Sequence, residues 1–303
     1  MYEAEQVGPA AEELEAVEDP DAATGVVLTP AEPVRFEHAV ISEERPRLRL
    51  HRQFRSSFLP ARRDVIVALP PDYAATTRSY PVLYLHDGQN LFDGETSFVK
   101  DRIWDVHTTV DRLVAEGAIE PLIVVGVYNT GVDRMEEYTP MRDPNLGGGN
   151  AKLYGRLLVE ELKPWVDAHY RTLDGPSHTG VGGSSLGGLV SLYLGLSWPN
   201  VFGRLAVLSP SIWWGRGGML QYVRNMHPEP RPRIWLDVGL AEGPTMLERC
   251  NALHRLLQRG GWKEGTDLRY LRVPDGRHDE LAWAGRVEPF LRFLFPAASS
   301  VAE

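Results

Sequence analysis

From Tyr80 to Phe295, short apolar runs alternate with segments of helical length, and this alternation limits the fold more than any other feature of the chain. "YPVLYLHDG" precedes the helix-like "IWDVHTTVDRLVAEG", "EPLIVVGVYN" precedes a glycine-rich loop and "KLYGRLLVEELKPWVDAHY", and "HTGVGGS" precedes "LVSLYLGLSW". "RLAVLSP", "RIWLDVG" and "DLRYLRVPDG" add strands, and "TMLERCNALHRLLQRGG" and "ELAWAGRVEPFLRFLF" add helices. Strands joined through helices predict an α/β fold with a mostly parallel sheet flanked by helices on both faces. Upstream, "RLRLHRQFRSSF" and "RDVIVALP", separated by "LPAR", predict an antiparallel N-terminal strand pair. In such sheets, ligand sites gather at the C-terminal ends of the strands.

The charge of −9 is unevenly distributed. Residues 1–44 carry 12 of the 41 acidic side chains and one of the 32 basic ones, Arg35, which leaves 29 acidic and 31 basic residues on the remainder. That division predicts an acidic, disordered or loosely docked tail over 1–44 and a catalytic domain over 45–303. The nearly neutral remainder lacks a basic stripe, so no nucleic-acid partner is expected. Cys250 is the single cysteine, which excludes an intrachain disulfide and fits a reducing compartment. No secretory signal pattern and no run of about 18 apolar residues is present, so a cytoplasmic location without membrane contact is expected.

Gly183-Ser184-Ser185-Leu186-Gly187 matches G-x-S-x-G only when Ser185 is central, because a frame on Ser184 would put Leu186 where glycine is required. The pattern describes a serine on a sharp turn between a strand and a helix, with small neighbours that let the two approach. Strand-like "HTGVGG" and helix-like "LVSLYLGLSW" supply that context. The turn exposes the hydroxyl and places the Leu186 N–H at a helix N-terminus, where it can stabilise an oxyanion. Ser184 takes the variable position of the motif.

A serine hydroxyl needs a base, and in this architecture the order along the chain is serine, acid, histidine. His227, His254 and His278 follow Ser185. His254 sits within an amphipathic helix and His227 in a loop before a strand. His278 in "VPDGRHDELAW" lies between the last strand and the last helix, which is the expected place for the base. For the acid, Glu242 beyond Gly239 is favoured, and Asp237 near the end of "RIWLDVG" is the alternative. Asp275, three residues before His278, is a local alternative with an ordinary turn role in "PDG". A second oxyanion donor is expected from the loop "LYLHDGQNLFDG", through the N–H of Gly88 or Gln89, with His86 bracing the loop.

Five motifs, "LYLHDGQNLFD", "RMEEYTP", "GGSSLGG", "SPSIWW" and "RHDELAW", resemble those of the bacterial putative-esterase family of alpha/beta hydrolases. That family includes siderophore (enterochelin-type) esterases, S-formylglutathione hydrolase, feruloyl esterases and mycolyltransferases. The resemblance runs from about Leu48 to Phe295 and is closest to the siderophore-esterase-like branch. It implies an alpha/beta-hydrolase fold, Ser185 as nucleophile, His278 as base and an acid near Glu242. It also implies that Trp213 and Trp214 form part of a substrate wall. Residues 1–47 are too short and too acidic for the extra N-terminal sandwich domain of cytoplasmic siderophore esterases.

Arg134 and Tyr138 follow a strand end and are candidates to shape the pocket, the bland alternative being an Arg134–Glu137 pair that stiffens the loop. "DPNLGGGN" reads as a mobile entrance segment. No metal or nucleotide motif occurs, and no cofactor is expected. The expected activity is a serine esterase acting on a small-molecule carboxylic ester. Its rivals are an acyltransferase using the same acyl-enzyme and a catalytically silent binding protein on the hydrolase fold.

Overall fold

The computed structural model describes residues 38–41 and 47–297. Nine strands among these residues form one sheet: β1 His38–Ile41, β2 Leu48–Phe54, β3 Arg63–Ala68, β4 Val82–His86, β5 Ile123–Val127, β6 Thr179–Ser184, β7 Arg204–Leu208, β8 Arg233–Gly239 and β9 Leu268–Val273. Their spatial order is β1-β2-β3-β5-β4-β6-β7-β8-β9. The first three strands and β5 pair antiparallel, and everything from β5 to β9 is parallel. The expected parallel sheet with an antiparallel N-terminal pair is therefore the one observed, with one strand more on that side. Strand β1 falls inside the stretch assigned to the acidic tail, so among the described residues pairing of the sheet begins at His38. Residues 1–37 lie outside the described residues.

The helices are α1 Val106–Ala115, α2 Arg134–Glu137, α3 Ala151–Arg156, α4 Lys163–His169, α5 Leu186–Ser197, α6 Trp214–Asn225, α7 Pro244–Arg259, α8 Glu280–Ala284 and α9 Val287–Leu294. Alternate strand residues serve opposite faces: Val65 and Val67 of β3 join one apolar cluster, Ile66 and Ala68 the other. The first cluster is completed by α3 to α7 and the second by α1, α8 and α9, so both faces are dry, as parallel strands require. None of the described helices is long and apolar enough to cross a membrane.

Three local departures have identifiable causes. The helix expected over "KLYGRLLVEELKPWVDAHY" widens to i→i+5 pairing at Leu157–Leu162, directly before Pro164, whose ring and missing N–H would break a regular ladder. Helix α6 was not expected after "SPSIWW". The glycine-rich run Gly215-Arg216-Gly217-Gly218 carries no helical pattern, and positive φ at Gly215, Arg216 and Gly217 interrupts the first turn. The segment expected to be a mobile entrance carries hydrogen bonds of its own. Asp143 and Gly147 exchange two backbone hydrogen bonds, and Gly149 N–H donates to the Thr139 hydroxyl.

Candidate active site

Ser185 leaves the C-terminal end of β6 with φ 58° and ψ −120°, a conformation that costs a non-glycine residue about 1–3 kcal/mol. The strain is held by tight packing. A Cβ on Gly183 would come within 3.1 Å of the Gly187 backbone, and one on Gly188 within 2.7 Å of the Leu208 carbonyl oxygen. Position 187 itself is looser, with its nearest neighbours at 3.4 Å, so Gly183 and Gly188 set the closeness of strand and helix. Ser185 N–H donates to the Leu208 carbonyl, and the Ser185 carbonyl accepts from Ser211 and Leu189. Leu186 opens α5, so its N–H sits at the positive end of a 12-residue helix.

The three residues expected to act together are in contact. His278 Nε2 lies 2.9 Å from Ser185 Oγ, and His278 Nδ1 lies 2.8 Å from Glu242 Oε2. Burial pushes the Glu242 carboxyl up, but hydrogen bonds from His278, Ser209 and the Gly239 N–H outweigh it and hold the pKa below the usual glutamate value. A carboxylate only accepts, so Nδ1 must carry the proton and Nε2 must present its lone pair to the serine hydroxyl. Asp279 caps α8 by accepting from Ala282 N–H at 3.0 Å, which fixes the chain beside His278. The imidazole edge meets Trp283 at 4.9 Å between ring centres.

Asp237, the alternative acid, is engaged by groups other than the histidine, whose Nδ1 meets Glu242. Asp237 is fully buried and pairs with Arg286 Nη1 at 2.7 Å, with the Trp235 indole N–H at 2.8 Å. Burial raises its pKa, against the opposing effect of Arg286. Asp275 is exposed.

The cleft over Ser185 encloses about 290 Å³ and is lined by residues that include Asn90, Phe98, Trp104, Arg134, Glu280 and Trp283. Gly88 and Gln89 begin a short 3-10 turn after β4. Gly88 is forced to be glycine, because a Cβ there would lie 2.6 Å from the Gly126 backbone. Arg134 does not pair with Glu137. Its Nε and Nη2 donate to the two oxygens of Asp87 at 2.7 and 2.8 Å, and Asn129 adds a third hydrogen bond. Burial pushes the Asp87 carboxyl up, but the Arg134 charge and these bonds bring it below the ordinary range. Glu137 instead forms a buried two-pronged pair with Arg63, both contacts at 2.8 Å.

Tyr138 is fully buried and is not among the residues lining the cleft; its hydroxyl accepts from the Asp87 N–H at 3.3 Å. Trp214 is a core residue, its indole N–H on the Met141 carbonyl, whereas Trp213 is 42% exposed. Neither is among the residues lining the 290 Å³ cleft. His86 is buried beside Tyr154, with Nδ1 2.9 Å from the tyrosine hydroxyl, and burial drives its pKa down to about 3.

Several neighbours of the site escaped sequence reading. Ser211 Oγ lies 3.2 Å from Ser185 Oγ, Ser209 and Arg286 hydrogen-bond to Glu242, and the Trp283 indole donates to Ser209. Only "SPS" after a strand end offered a signal for the two serines.

The sequence profile of the family described as "Putative esterase" matches residues 56–293. The chain belongs to this esterase family. As a member it is a carboxylic-ester hydrolase. The chain is 28% identical over 239 residues to an endo-1,4-beta-xylanase/feruloyl esterase of Xylanibacter ruminicola, covering 76% of this chain and 29% of that protein. It is 36% identical over 135 residues to the iron(III) enterobactin esterase of Escherichia coli K12, covering 42% and 32%. The chain thus spans about a third of each of these esterases. Among solved structures, an IroE-like serine hydrolase from Shewanella oneidensis superposes with a TM-score of 0.67 at 22% identity, covering 82% of this esterase and 80% of that chain. At that identity the likeness speaks for the fold.

Proposed function

We propose that this esterase cleaves its substrate through an acyl-enzyme on Ser185. His278 Nε2 takes the hydroxyl proton as Ser185 Oγ attacks the ester carbonyl, and Glu242 steadies the imidazolium that forms. The N–H groups of Leu186 and of Gly88 or Gln89 hold the oxyanion, after which His278 returns the proton to the leaving alcohol. Water activated by the same imidazole then releases the acid. The observation that carries this reading is the continuous hydrogen-bonded line from Glu242 through His278 to a serine held in a strained turn.

The His278 side chain is 39% exposed, which gives the attacking water of the second step a path to the base. Aromatic residues in the cleft, and relatives named for feruloyl and enterobactin esters, support an acyl group bearing an aryl ring. Ser185→Ala is expected to lower hydrolysis of p-nitrophenyl acetate by about 10⁴-fold or more while circular dichroism stays unchanged. Parent-level turnover in that variant would contradict the mechanism.

A further inference from the structure

Arg286 sits at the start of α9, 1% exposed, behind the proposed acid and out of reach of the cleft. Its guanidinium joins three pieces of chain. Nη1 donates to Asp237 Oδ1 at 2.7 Å and to Ser209 Oγ at 2.6 Å, at the ends of β8 and β7. Nη2 reaches Glu242 Oε1 at 3.4 Å and the carbonyl of Arg277, the residue before His278, at 3.2 Å.

The Ser209 hydroxyl takes its direction from this arrangement. Its oxygen already accepts from Arg286 and from the Trp283 indole at 3.3 Å, so its one proton points at Glu242 Oε1, 2.6 Å away. Oε1 is therefore occupied by Ser209, the Gly239 N–H and Arg286, and Oε2 is left for His278. The loops that carry acid and base also touch directly. Ala241 N–H donates to the Gly276 carbonyl, and a Cβ on Gly276 would meet Arg286 Nη2 at 2.7 Å.

We infer that Arg286 is a positioning residue that clamps the Glu242 loop to the His278 loop, fixing which carboxylate oxygen meets the imidazole. It touches neither substrate nor reacting atoms and acts only through Glu242. The inference rests on the triad reading above and goes one shell further out. Its signature is epistasis, since a clamp on Glu242 has nothing to position once that carboxylate is gone.

The test compares Arg286→Lys in the full-length parent and in a Glu242→Gln background, reading kcat and KM for p-nitrophenyl acetate and the rate of fluorophosphonate labelling of Ser185. Lysine keeps a cation beside Asp237 but cannot fork to Glu242 and the Arg277 carbonyl together. The expected result in the parent is a fall in kcat and in labelling rate of about tenfold, with KM within about twofold. In the Glu242→Gln background the further loss should be less than about twofold. Titration of competent sites with the fluorophosphonate, read beside the urea midpoint of each variant, lets kcat be compared per folded enzyme if lysine at 286 impairs folding. Equal losses in both backgrounds, or none in the parent, would overturn the clamp alone. Full activity of Glu242→Gln by itself would overturn the triad reading and the clamp with it.

Discussion

Two arginine–carboxylate pairs stand on either side of Ser185, and they face different things. Arg134 with Asp87 belongs to the loops after β4 and β5; the arginine is 26% exposed and lines the cleft. Arg286 with Asp237 lies beneath the loops after β7, β8 and β9, is sealed from solvent, and reaches the proposed acid Glu242 rather than the cleft. The first pair can meet a substrate and the second cannot. Damage on the Arg134 side should therefore appear in KM and depend on the acyl group, whereas damage on the Arg286 side should appear in kcat for every ester.

The largest expected effect that sharpens this contrast comes from Glu242→Gln. An amide keeps the shape of the carboxylate but cannot balance an imidazolium, so kcat should drop on the order of 10³–10⁴-fold with KM little changed. Steady-state kinetics on two esters of different acyl groups checks it, and the loss should be the same on both.

Next comes Arg134→Met. Nε and Nη2 are engaged with Asp87, so the remaining guanidinium edge is what a polar or anionic acyl substituent would meet. KM for a hydroxylated aryl ester should rise about tenfold, while kcat/KM for p-nitrophenyl acetate changes less than about threefold. A uniform kcat loss would erase the distinction between the two sides.

A smaller effect concerns pH. The Asp87 carboxyl is held below its ordinary value in the folded chain, so its contribution to stability is present above the ordinary carboxyl range and is lost as pH falls through the depressed value. Asp87→Asn has no such carboxyl, and its urea midpoints at pH 7 and pH 2 should lie closer together than the parent's. Smallest of all is Asp275→Asn. The exposed Asp275 has no part in the line to His278, and kcat should stay within about twofold of the parent.

The contrast between the two sides also marks how far the sequence could be read. Ser185, Glu242 and His278 were legible because each sits at a motif or at the end of a recognisable strand, and chain order in this fold then ranks the candidates. Arg286 was hidden inside "ELAWAGRVEPFLRFLF", which reads as one amphipathic helix; the structure breaks it between Ala284 and Val287 and turns the arginine inward. Arg134 was found by position as a residue of the pocket, but its partner was not, because a loop pattern shows near neighbours such as Glu137, the bland alternative, and not the residue 47 positions away that folding brings to it. Trp213 and Trp214 misled for a related reason. The family resemblance implied a wall, yet the turn into α6 buries Trp214 in the core and leaves Trp213 exposed. Strand β1 escaped because composition assigned it to the acidic tail, and pairing with β2 overrides composition.

The central claim is the acyl-enzyme on Ser185, and Ser211, whose hydroxyl lies 3.2 Å away, is the sharpest internal rival. Rapid quenching of the parent with p-nitrophenyl acetate, followed by intact-mass and peptide mass spectrometry, tests the claim directly. The account predicts a burst of one acetyl group per chain, mapped to Ser185 and absent from Ser185→Ala. Turnover with no adduct, or an adduct on Ser211 or Ser184, would contradict it.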